Sequence, residues 1–160
     1  MRPLLTFLIT IQLLKIAAIA CALDCTAPVM SQEAFDASAA VFEGEAQEGR
    51  ELSAQELQAF REAGIATNTK GGELAEMRAY TFVVLKAHKG GLSEETVEVA
   101  RNIYWGDGFA AGGGYLIVSP QKVGGLYLAP LCGHSISLDR AREMGTLEFL
   151  KSVKKADGHR

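Results

Sequence analysis

Alternation of apolar and polar residues along the middle of the chain predicts a mainly β domain. The longest candidate strand, residues 77–88, carries apolar residues on both faces. This pattern is typical of a strand that is covered on both sides. Alternation over residues 96–105 predicts another strand. Shorter apolar runs predict three more, over residues 39–46, 115–119 and 126–131.

Three helices are predicted around these strands, each from a capping residue. Ser31 begins a short helix that ends near residue 38. Ser53 and Glu56 form a capping-box pattern at the start of a second helix, which ends at Gly64. Ser137 caps a final helix that continues to about residue 155, where apolar residues recur every three positions.

The five predicted strands show no βαβ alternation, which favours a small closed β structure. We predict a five-stranded Greek-key barrel of the OB-fold type, with a short N-terminal helix, an inserted helix and a C-terminal helix. A small β-sandwich is the alternative. The 160 residues allow one domain. We place it at residues 23–157, with an insertion at residues 46–76 between the first two strands.

The first twenty residues have the three regions of a secretory signal peptide in order. Arg2 lies near the start, an apolar stretch follows over residues 4–14, and small residues end the segment. A buried helix or a membrane anchor is the alternative, but Lys15 interrupts the apolar run. A membrane span needs about 20 mostly apolar residues. We expect cleavage after residue 20, or after residue 22, and export to the periplasm, the outer envelope or the extracellular space.

The charge of the chain argues against a nucleic-acid partner. Lys and Arg number 16 and Asp and Glu number 19, which gives a net charge of -3. Phosphate binding needs a basic surface. Removal of residues 1–20 takes away Arg2 and Lys15 and no acidic residue, so the mature chain is more acidic still. A membrane is therefore expected as a partner only through a lipid anchor.

The chain has three cysteines, Cys21, Cys25 and Cys132, and an odd number cannot pair completely within one chain. The segment Ala18-Ile19-Ala20-Cys21 is similar to a bacterial lipobox, whose cysteine is lipidated. Cys21 is therefore a candidate lipidation site. If cleavage falls before Leu23, Cys21 is instead removed with the signal peptide.

Five short motifs follow one another along most of residues 25–140. They are Cys25-Thr26-Ala27-Pro28, residues 37–44, residues 80–85 followed by His88-Lys89-Gly90, Phe109 and Gly112 with residues 115–118, and Leu131-Cys132 with Ser135. In this order they resemble the tissue-inhibitor-of-metalloproteinases-like family, whose netrin-type module is an OB-fold barrel. The resemblance implies a protein partner, with a metalloprotease as one candidate.

The same resemblance implies a disulfide between Cys25 and Cys132, which export favours over two free thiols. Two other family cysteines are absent, because Leu23 stands at the first position and residues 105–109 contain none. Inhibition in the family uses the amine and carbonyl of a bridged N-terminal cysteine, which chelate the protease zinc. A chain with Leu23 at that position lacks this device, so the resemblance implies protein binding without establishing inhibition.

Two parts of the chain are candidates for contact with a partner. The resemblance places one at the start of the mature chain, over Leu23, Asp24, Cys25 and Thr26. Tyr104 and Trp105, at the end of a predicted strand, form a candidate aromatic patch. The alternative is that Trp105 fills one end of the barrel. Surface loops, including residues 46–76, would add further contacts.

No catalytic residue, metal site or cofactor is predicted. Cys132 and His134 supply too few ligands for a zinc site, which needs three or four. Ser135 lies beside His134, but no acid or nucleophile-elbow motif accompanies the pair, which leaves a hydrolase without support. The glycine-rich residues 106–114 precede a strand, so they predict a turn and not a phosphate loop. His88 is interpreted as a surface residue.

Together these observations predict an exported, non-enzymatic protein-binding module. The alternative is a lipid-anchored envelope protein with a structural or assembly role.

Overall fold

One mixed β-sheet forms the centre of the computed structural model, which describes residues 28–65, 76–92, 95–103, 108–130 and 132–157. Within these residues the sheet has seven strands: β1 (Ala40–Glu51), β2 (Glu76–Lys89), β3 (Thr96–Ile103), β4 (Gly114–Ser119), β5 (Lys122–Val123), β6 (Leu126–Ala129) and β7 (Ile136–Ser137). The helices are α1 (Gln32–Ala37), α2 (Ala54–Glu62), α3 (Leu138–Glu143) and α4 (Thr146–Asp157). The protein is mainly β, as predicted.

The strands pair in the order β5-β6-β3-β2-β1-β4-β7. Every neighbouring pair is antiparallel except β3 and β6, which are parallel. The ladder between β1 and β2 is irregular at three places, after Val41, Glu43 and Ala46. Such bulges increase twist and bend a strand, so β1 can follow a strongly curved path.

The sheet curls until its inner face meets itself. Two strands, β3 and β2, separate β6 from β1, so a flat sheet would place β6 and β1 about 14 Å apart. The ring centroids of Phe42 on β1 and Tyr127 on β6 are only 6.3 Å apart. Both rings belong to one buried cluster that also contains Phe82, Val99 and Ile117. The inner face is therefore a single core.

The sheet is not a closed barrel, and the prediction of five strands was incomplete. The five longest strands overlap the five predicted ones, whereas β5 and β7 have two residues each. Two residues are too few to produce an apolar alternation, so neither strand has a signal in the sequence. The pairing of each depends on a partner strand, β6 for β5 and β4 for β7.

Helices cover two separate parts of the outer face. Over β1 and β4 they bury one cluster with members Met30, Phe35, Val41, Leu116, Val118, Leu138, Ala141, Leu147 and Leu150. Over β2, β3 and β6, α2 buries a second cluster with members Leu52, Phe60, Met77, Ala79, Ala100, Leu126 and Leu128. Between the two, Val83 and Leu85 on β2 are 37% and 58% exposed. The prediction that β2 is covered on both sides is therefore wrong around Val83 and Leu85.

The caps predicted from the sequence are confirmed, but the last helix is not continuous. Ser31, Ser53 and Ser137 each accept a hydrogen bond from a backbone N–H of their own first turn. After Ser137 the helix ends at Glu143, because Gly145 has a φ of 71°, and a new helix follows. A left-handed residue interrupts the helical hydrogen bonds. None of the described helices is long and apolar enough to span a membrane.

The helix α2, which lies between β1 and β2 in the chain, is fixed to the sheet by one arginine. Arg50 on β1 donates hydrogen bonds of 2.7 and 2.9 Å to Glu56 on α2, and two of 2.9 Å to Glu98 on β3. Glu56 also accepts from the backbone N–H of Ser53 at 2.7 Å, which completes the capping box. The hydrogen bonds from Arg50 lower the pKa of Glu56 from 4.5 to about 2.

The lowered pKa of Glu56 predicts an acid-dependent part of the stability. The charged carboxylate stabilises the fold fully above pH 4.5, and this contribution is lost as the pH falls towards 2. Glu56→Gln should lower the free energy of unfolding by about 1–2 kcal/mol at pH 7. The difference in the free energy of unfolding between Glu56→Gln and the wild type should become smaller as the pH is lowered. Urea unfolding at a series of pH values measures it. Glu62→Gln, on the exposed end of α2, is the matched control. A difference that stays constant down to pH 2 would contradict this account of the network.

Candidate functional site

Most residues singled out by the sequence for partner contact or lipidation lie outside the described part of the chain. These are Cys21, Leu23, Asp24, Cys25, Thr26, Tyr104 and Trp105. Their roles stay predictions. Cys132 and His134 are described, and they lie in one turn after β6.

Cys132 is disulfide-bonded, and it lies at the surface of the structure. The alternative of a free thiol at this position is therefore excluded. The other two cysteines of the chain, Cys21 and Cys25, are outside the described residues. The pairing of Cys132 with Cys25 stays a prediction.

A hydrogen bond from His134 holds Pro28 against this turn. Its Nδ1 lies 3.0 Å from the carbonyl oxygen of Pro28. Because a carbonyl only accepts hydrogen bonds, Nδ1 carries the proton and donates it. Val29, the next residue, is 68% exposed. We call Pro28, Val29, Cys132, Gly133 and His134 the Cys132 surface.

An apolar cavity of about 240 Å³ opens beside the Cys132 surface. Its lining comes from α1, the end of β4 and the turn after β6: Ala34, Ala37, Ser38, Val118, Pro120, Pro130, Gly133 and His134. Small-molecule pockets usually have about 300–1,000 Å³, so this cavity suits a single apolar side chain. Sequence reasoning missed it. Its only signal is the pair of small residues, Ala34 and Ala37, on one face of α1.

Ser135 has a structural role. Its Oγ accepts the backbone N–H of Val118 at 2.9 Å and is 3.2 Å from the Val118 carbonyl oxygen, to which it donates. The side chain is buried. His134 is directed to Pro28. The backbone of β4 thus occupies the hydroxyl of Ser135, and Pro28 occupies Nδ1 of His134. Ser135 and His134 are therefore not arranged as the nucleophile and base of a hydrolase.

The prediction for His88 was wrong, because its side chain is only 3% exposed. Its Nε2 lies 2.8 Å from Oε1 of Glu43, and Nζ of Lys86 lies 3.5 Å from the same oxygen. The alternation of β2 gives no sign of this pairing, which crosses to β1. Nowhere in the described ranges do three or more His, Cys, Asp or Glu residues form a group that could hold a metal ion.

Comparison of the chain with protein-family models and with curated proteins gives no match. The resemblance to the inhibitor family thus stays a prediction.

The bond at Cys132 predicts a specific pattern of destabilisation. Cys132→Ser should lower the free energy of unfolding by about 2–5 kcal/mol without reductant. If Cys25 is the partner, Cys25→Ser should lower the free energy of unfolding by the same amount. The double variant with both substitutions should lower it no further, because each of the three variants removes the same single disulfide. Cys21→Ser, in a protein that retains Cys21, is the matched control. Urea unfolding measures each effect, and destabilisation by Cys21→Ser in place of Cys25→Ser would contradict the pairing.

Proposed function

We propose that the chain is an exported, non-enzymatic module that binds another protein through the Cys132 surface. The framework we propose is a partly open Greek-key barrel of the OB type. Two observations support this framework. The five longest strands pair in the order β6-β3-β2-β1-β4, and they curl around one core.

The binding proposal rests on one observation: the Cys132 surface combines an exposed apolar side chain with a turn that is held in place. Val29 is exposed. It follows Pro28, which is hydrogen-bonded to His134, and His134 lines an apolar cavity. The neighbouring turn is held by the disulfide of Cys132 and by the hydrogen bond of His134 to Pro28. A surface that is already ordered loses little entropy when it binds. Apolar anchors that fill pockets supply most of the energy in protein interfaces.

The resemblance to metalloprotease inhibitors supports a zinc endopeptidase as the partner. The Cys132 surface begins two residues after Thr26, so the predicted contact residues lead directly into it. Leu23 stands where the family has the chelating cysteine. We therefore propose binding to the protease without chelation of its zinc by the chain's N-terminus.

A lipid-anchored envelope protein is the second candidate, and the cysteines favour it. The chain has two cysteines besides Cys132, and one of them forms the disulfide with Cys132. The third cysteine then has no cysteine of the same chain to pair with. If the third cysteine is Cys21, it lies in a lipobox-like segment, where it would be lipidated and become the first residue of the mature chain. Fatty-acid labelling that is lost in Cys21→Ser distinguishes the anchored form from the secreted form.

The direct test is binding of the mature protein to a panel of zinc endopeptidases, measured by biolayer interferometry together with residual proteolysis. We expect at least one protease to bind, with an affinity at least about tenfold lower for Val29→Asp, because the change places a charge in an apolar contact. Leu85→Asp is the matched control, since it makes the same change at an exposed apolar residue on β2.

Three results of this test would count against the proposal. They are a panel in which no protease binds, an equal loss of affinity in both variants, and full binding by Val29→Asp.

A further inference from the structure

The turn after β6 leaves the sheet at a point where one side chain replaces a backbone partner. β7 pairs with two residues of β4, the second of which is Leu116, opposite Ile136. A regular continuation of this ladder would place His134 opposite Val118, since alternate residues of a strand turn their backbone groups to the same neighbour. The hydroxyl of Ser135 instead bonds to both backbone groups of Val118, at 2.9 and 3.2 Å. The chain before Ser135 therefore turns away from β4.

The cavity of about 240 Å³ beside the Cys132 surface opens where the chain turns away. Val118 lines the cavity on the side of β4, and Gly133 and His134 line it on the side of the turn. The hydroxyl bridge thus keeps apart two segments that a regular ladder would bring together. The cavity is therefore part of the fold and exists before any partner binds.

The lining of the cavity is poor in hydrogen-bond donors. Pro120 and Pro130 have no backbone N–H, and the side chains of Ala34 and Ala37 are methyl groups. The hydroxyl of Ser38 already donates to two carbonyl oxygens of α1, at 2.7 and 3.1 Å. Most of this lining therefore accepts only an apolar group, because a buried polar group without a partner costs free energy.

His134 supplies one hydrogen-bond acceptor at the cavity. Its Nδ1 donates to the carbonyl oxygen of Pro28, and in a neutral imidazole the other ring nitrogen, Nε2, is then an acceptor. No residue in the part of the chain that the structure describes bonds to this Nε2. The bond to Pro28 also holds the ring, so the acceptor has a defined position before a partner arrives.

We propose that this cavity takes a tryptophan side chain of the protein partner, whose indole N–H donates to Nε2 of His134. The inference rests on the proposed function, because it names the residue with which the partner anchors at the Cys132 surface. Indole combines a large apolar body with one donor and no acceptor. Phenylalanine lacks the donor, and the hydroxyl of tyrosine brings an acceptor for which this lining has few donors. Tryptophan is also enriched among the residues that dominate the binding energy of protein interfaces.

The test is a titration of the ¹⁵N-labelled mature protein with two probes at millimolar concentrations. One is N-acetyl-tryptophanamide, and the other is its 1-methylindole derivative, which has nearly the same shape but no indole N–H. We expect saturable shifts of the backbone amides of Ala34, Ala37 and Gly133 with the first probe. The methylated probe should bind at least about threefold more weakly, because one hydrogen bond is lost.

Two variants assign the binding to the cavity and to His134. Ala37→Leu fills the cavity and should weaken binding of the tryptophan probe at least about tenfold, because its added carbon atoms occupy the space of the indole. Ala54→Leu, the same change at an exposed position of α2, is the matched control and should bind as the wild type does. His134→Asn keeps an amide donor for Pro28 and removes the ring acceptor. In this variant the two probes should bind equally, which a steric effect of the methyl group would not produce.

The tryptophan site is wrong if the first probe shifts none of these amides, or if it binds Ala37→Leu as tightly as the wild type. It is also wrong if the wild type binds both probes equally. If the probe fails while a protease still binds through Val29, this inference fails and the proposed function stands. If the probes behave as expected and no protease binds, the tryptophan site stands and the proposed class of partner is wrong.

Discussion

The aromatic core on the inner face of the sheet is the contact on which the rest of the structure depends. Ring pairs join Phe42 to Phe82, Phe82 to Phe109 and Phe109 to Tyr115, with centroid distances between 4.8 and 6.1 Å. These rings come from β1, β2, β4 and the segment before β4. They can be buried together with Tyr127 only if the sheet curls, since a flat sheet leaves one large apolar face in water.

The curl also determines where two cavities form. Helices cover two separate parts of the outer face, and a cavity lies near each end of β1. Near the start of β1, Ser38 lines the small cavity beside the disulfide-bonded turn. Near its end, Glu48 and Gly49 line a larger cavity together with Tyr80. One irregular strand thus lies between an apolar cavity and a larger, more polar one.

Local signals in the sequence predicted the parts of the fold that local chemistry determines. The caps at Ser31 and Ser53 depend on residues three positions apart, and the long strand β2 has its own alternation. The pairing of His88 with Glu43 crosses strands, and the exposure of Leu85 depends on which helices cover the sheet. Neither has a local pattern. For the site, Cys132 was singled out from the sequence. The cavity lined by Gly49 and Tyr80 depends instead on the register of β1 against β2, which shifts between Ala46 and Gly49.

The most direct test of the curled sheet is a ¹³C-edited NOESY spectrum that resolves the aromatic protons. A cross-peak between Phe42 and Tyr127 is expected, because their rings meet edge to face at 6.3 Å. The pair Phe42 and Ile117, directly opposite each other on the adjacent strands β1 and β4, is the internal control, since it gives a cross-peak in a flat sheet as well. Absence of the first cross-peak with the second present would contradict the account, because a flat sheet holds β1 and β6 about 14 Å apart.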